Sequence, residues 1–82
     1  MTKLEGRHIV GQGEFERLTT AQQEAVITVI LQCIASNKAE AGTLDHGLGD
    51  VYAYPHPSQG SDLISWGVNS PYNIARGIFS PH

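Results

Sequence analysis

The chain has a single cysteine, Cys33, so it can form no intrachain disulfide. That excludes a disulfide scaffold and any multi-cysteine metal cluster, and it favours a reducing compartment. Cations are also scarce. Lys3, Arg7, Arg17, Lys38 and Arg76 are the five basic residues of 82, and the net charge is −3. A surface that tracks phosphates needs clustered Lys and Arg. None occurs here, so neither direct nucleic-acid binding nor an anionic membrane surface is expected. Long apolar runs are missing as well. The longest, "AVITVILQCIA" from Ala25 to Ala35, is broken by Thr28 and Gln32 and is well short of the ~20 residues that span a bilayer. The N-terminal "MTKLEGRH" carries mixed charges with no apolar run behind it, unlike a secretory signal. The expected location is the cytoplasm.

What remains is 40% hydrophobic, enough for one small core. Residues 1–82 are read as a single domain. No internal repeat or low-complexity linker divides them.

The strongest local signal is a helix over residues 19–37. Thr20 reads as its N-cap, with Gln23 completing a capping box, and Asn37 as its stop. The β-branched "AVITVI" argues for a strand instead, but the run is too long for one. Glu24, Thr28, Gln32 and Ser36 recur every fourth residue as a narrow polar stripe, and nearly everything else is apolar. Such a helix is covered on most sides. The expectation is therefore a sheet on one side and a partner, most simply a second copy of the chain in a homodimer, on the other; the alternative is that the Gly-rich second half wraps the helix alone.

The second half reads as β. "DVYAYP" and "DLISWGV" are strand candidates joined by the turn-rich "HPSQGS". Alternation sets Val51 and Ala53 on one face and Tyr52 and Tyr54 on the other, where Trp66 is placed with them. In the tail, Ser70 and Pro71 match an N-cap and first helical position, predicting a short helical turn ended by Gly77. Near the N-terminus "RHIV" is a possible short strand. The predicted fold is α+β: one main helix packed on a small antiparallel sheet or β-hairpin, plus a C-terminal helical turn.

Chemical motifs are weak. "GLGD" precedes a strand, whereas a phosphate cradle opens a helix. "VGQGEFER" has the right order but Glu16 where a third glycine belongs. Asp45, His46, Asp50 and His56 can ligate metals, but their spacing matches no compact site. Cys33 falls in the most apolar stretch, where a thiol is a core hydrophobe with a raised pKa. No cofactor or metal is expected.

The aromatics carry the leading expectation, a non-enzymatic protein-binding module. Tyr52, Tyr54, Trp66 and Tyr72 would form a patch rimmed by Asp50 and Asp62. Aromatic residues anchor interfaces, and an acidic rim suits a partner with a basic surface. An inhibitor or adaptor of a larger, nucleic-acid-handling protein fits this size and lack of motifs, by analogy with phage anti-defence proteins. The alternative is a nucleotide-like small ligand held at a subunit interface by His56, Arg76 and Trp66. The ordinary role for Arg76 would be an ion pair with Asp45 or Asp50. A small hydrolase using His and Asp is the third possibility.

Overall fold

The computed structural model describes residues 4–44, 49–56, 63–71 and 73–81. Strand β1 (Arg7–Val10) leads into a short helix α1 (Gln12–Glu16) and the long helix α2 (Thr20–Ser36). Four strands follow: β2 (Glu40–Thr43), β3 (Asp50–Pro55), β4 (Ile64–Ser70) and β5 (Asn73–Ser80). All pair antiparallel in one sheet of order β1-β5-β4-β3-β2. The four later strands form a meander, and β1 is added beside the last of them. Among the described residues no helix is long and apolar enough to cross a membrane.

This architecture overturns the expectation of one helix on a small hairpin. The sheet dominates, and the predicted C-terminal helical turn is strand β5. Ser70 pairs with Asn73 across the turn, so the Ser-Pro pair starts a hairpin rather than a helix. Proline pre-sets the backbone angle of a first helical residue and of a turn alike, and the alternation that follows decides between them. Ile74 is 71% exposed while Ala75 is 2% exposed, the period-two pattern of a half-covered strand.

The expected helix forms, displaced at its start by one residue. Thr19, not Thr20, is the N-cap; its backbone is extended, its hydroxyl accepts from the Gln22 amide, and the Gln22 side chain accepts from the Thr19 amide. "TTAQQ" offers the capping box in two registers. The second glutamine is engaged elsewhere. The Gln23 side-chain amide donates to the carbonyls of Phe15 and Leu18, tying the α1–α2 corner. At the other end Asn37 adopts the left-handed conformation that terminates helices.

Helix α2 buries Val26, Val29, Ile30 and Cys33, the stripe that one covering sheet produces. Ile34 on another side is 40% exposed. Within the single chain the helix is covered by the sheet on one side, contacting β2, β3 and β4.

On the covered face of the sheet, three cross-strand rows meet the helix: Val51–Val68–Ala75, Ala53–Trp66–Gly77 and Pro55–Ile64–Phe79. The middle row seats the one tryptophan between the two smallest side chains. A Cβ at Gly77 would come within 2.7 Å of Trp66 Cζ2, so the indole occupies the space the glycine leaves. Leu18 and Leu44 complete the core with the α2 side chains.

Candidate functional site

Among the described residues no helix is packed across the opposite face of the sheet, which α1 meets only at its margin through Glu14. Strand alternation sends Asp50, Tyr52 and Tyr54 of β3 to this face, with Ser65, Gly67 and Asn69 of β4 and Ile74, Arg76 and Ile78 of β5. Strand β1 adds Val10 opposite Ile78, after a register shift between His8 and Val10. That irregularity leaves both Ile9 and Val10 about half exposed, a bulge's usual effect on facing.

Tyr52 and Tyr54, two residues apart, stack with ring centroids 6.0 Å apart and planes inclined by 16°. Tyr52 leans from β3 across β4: a Cβ at Gly67 would collide with Cζ and Oη of the Tyr52 ring. Gly67 pairs on its other side with Arg76. The missing side chain of Gly67 therefore lets the phenol lie across β4, on the side of the strand that carries Arg76. In the next row Ser65 lies between Tyr54 and Ile78 and is 9% exposed. These residues form a shallow depression of about 450 Å³, lined by Tyr52, Tyr54, Ser65, Arg76 and Ile78, with Val10 and Glu14 at its α1 side. Among the described residues no carboxylate pairs with Arg76, and the Ser65 hydroxyl has no hydrogen-bond partner.

The structure sorts the sequence-predicted site residues into three groups. Tyr52, Tyr54 and Arg76 converge on the depression, and Asp50 sits at the rim of the same face beside Asn69. Trp66 borders the same depression, but its partner across the ladder is Ala53, and at 1% exposed it is buried on the covered face rather than part of an exposed aromatic patch. The hairpin register decides this, because a shift of one residue exchanges the faces of a whole strand. Tyr72 and Asp62 lie outside the described residues, as do Asp45 and His46. His56 stands past the end of β3, where its amide donates to the Leu63 carbonyl. By strand spacing its backbone is roughly 16 Å from that of Arg76, so within one chain the two are well separated along the sheet.

Ser65, Ile74, Ile78, Val10 and Glu14 join the face without being expected from the sequence. The signal for the β5 members is present in the alternation of "NIARGIFS", but the Ser-Pro start obscures it.

A second polar feature lies on the covered side. His8 packs its ring 4.6 Å from Phe15, 5.4 Å from Phe79 and 5.8 Å from Trp66, between centroids. Burial pushes its pKa below the ordinary histidine value, with Glu16 opposing weakly. Its Nδ1 and the Trp66 Nε1 are buried without hydrogen-bond partners among the described residues. An imidazole kept neutral by three rings packs as an aromatic. Cys33 is fully buried, and burial, then Glu40, raises its thiol pKa, which suppresses the nucleophilic thiolate. Among the described residues no three His, Cys, Asp or Glu side chains gather as a metal site would need.

The chain matches no family model, no curated protein and no solved structure. The functional reading therefore rests on the geometry of the open sheet face.

Proposed function

We propose that the protein is a non-enzymatic binding module that engages a partner protein through the uncovered face of its sheet, as an inhibitor or adaptor does. The observation that carries this reading is the stacked Tyr52–Tyr54 pair beside Arg76, on a sheet face with no covering layer among the described residues. Tyrosine and arginine are the side chains that concentrate binding energy at protein interfaces. Ile74, Ile78 and Val10 extend the patch with aliphatic area, and contiguous exposed apolar surface marks interaction sites. Asp50 and Glu14, on different sides of the face, favour a partner whose contact surface is basic at its edge.

The test is affinity capture by the tagged chain, run beside Tyr54→Ala and Ile74→Glu variants. Both positions are exposed, so each variant should keep the parent far-UV circular dichroism and stay close to its melting temperature. The expected result is a specific captured protein that both variants lose. Capture that survives both changes would place the interface elsewhere.

A further inference from the structure

We propose that the depression on the open face is a carboxylate-anchoring site: it takes an acidic side chain or chain terminus of the partner, with an adjoining flat apolar group lying against Tyr54 and Ile78. This deepens the binding-module reading and rests on it. Three donors line the same depression. Arg76 supplies the planar guanidinium fork that matches a carboxylate. Tyr52 brings its hydroxyl over Gly67 of β4. Ser65 offers a hydroxyl from the largely buried floor. Neither Arg76 nor Ser65 spends its side-chain donors on another described residue.

The charge pattern supports an anion here. Arg76 is the sole Lys or Arg after Lys38; it lines the depression, with Glu14 as the one carboxylate of the lining, and no ion pair joins the two among the described residues. Arg76 is exposed, so its guanidinium is open to an incoming anion without displacing a protein partner. The rings beside it provide a face for a planar group. The complementary partner surface is thus a carboxylate next to an aromatic or aliphatic side chain, with one cation beside it for Glu14 at the α1 side of the depression and another further out facing Asp50.

The experiment is a ¹⁵N amide titration of the full chain with N-acetyltryptophan and with its neutral amide, N-acetyltryptophanamide. The two share a ring and differ in the carboxylate. N-acetyltryptophan should move the amides of Tyr52, Tyr54, Ser65, Gly67, Arg76 and Ile78, with a Kd on the order of 1 mM, as suits a fragment. The neutral amide should bind at least about tenfold more weakly, the scale of one hydrogen bond to a charged group. Arg76→Gln, at an exposed position, should fold normally and remove that difference. Equal binding of acid and amide, shifts confined to other residues, or no shifts at all would overturn the proposal. So would tighter binding of adenosine monophosphate at the same amides, which would make the site one for a nucleotide. Movement of these amides with protein concentration alone would overturn it too, by making the occupant a second copy. The capture experiment with Tyr54→Ala reads separately: a carboxylate preference can fail while partner capture still depends on Tyr54.

Discussion

Tyr52 lies across Gly67, and the ring occupies the volume a side chain would fill. The contact couples two strands on the open face and lays the phenol over β4, the neighbour of the strand that carries Arg76. It makes a glycine in the middle of a strand useful where glycine is normally unfavourable.

Substituting Gly67→Ala should push the Tyr52 ring away from β4. Because Tyr52 is 38% exposed, the ring has room to move, and the cost should stay near 1 kcal/mol, the low end for overpacking. Near-UV circular dichroism should weaken as the Tyr52–Tyr54 stack opens, and N-acetyltryptophan should lose affinity. An unchanged tyrosine signal would show that the stack does not depend on the space at Gly67.

Trp66 should behave as the centre of the core. Trp66→Ala should destabilise by about 3–5 kcal/mol, as large aromatic truncations do, a large fraction of the roughly 5–15 kcal/mol that holds a domain together. Urea midpoints measure this. In the parent the indole emission should be blue-shifted and resist collisional quenchers. Ready quenching would mean that the ring reaches solvent.

His8 gives the stability a pH dependence of known sign. Its folded pKa lies below the unfolded one because burial disfavours the imidazolium. As pH falls below about 6.5, the unfolded state takes up the proton first, so stability drops until pH reaches the folded pKa and then levels for this group. Above about 6.5 its contribution is constant. His8→Phe should flatten this part of the urea-midpoint profile. A slope unchanged by the substitution would assign the dependence to other groups.

Gln22 joins the helix start to the sheet. Its side-chain carbonyl accepts from the Thr19 amide and from the Asn73 side chain. Gln22→Ala should therefore cost more than a cap alone, above the typical ~1 kcal/mol for a lost N-cap. Asn73→Ala should lose only the β5 share, and a double-mutant cycle measures the coupling. Independent, additive effects would dissolve the link.

Cys33 should react with thiol reagents only as the protein opens, because its side chain is fully buried and its pKa is raised. The modification rate should follow global unfolding as urea is added. Fast labelling in buffer would contradict the packing of α2 on the sheet.

The helix and the β3 and β4 segments were legible because their signals are local. A capping box, a stop at Asn37 and alternation in "DVYAYP" each act within a few residues. The cap still moved by one position, since "TTAQQ" supports two registers and only tertiary bonds separate them, those of Gln23 to the α1 corner and of Asn73 to Gln22. Strand β5 was hidden by a Ser-Pro pair whose backbone preference serves a helix start and a turn equally. Of the site, Tyr52, Tyr54, Arg76 and Asp50 were visible as residue types. Their convergence with Ser65 and Ile78 was not, because those contacts cross three strands.

Local chemistry along the chain was enough to specify a capped helix, an alternating β half and a scarcity of cations. It also made Tyr52 and Tyr54 share a face, because neighbours two apart on a strand must. The face taken by Trp66 was settled only by packing between distant segments. That choice depends on whether β4 pairs through Ala53–Trp66 or one residue to either side, and register is fixed by how the indole, Gly77 and the helix fill one another's space. The same pairing set Arg76 beside Gly67 and turned two tyrosines and a lone arginine into one surface.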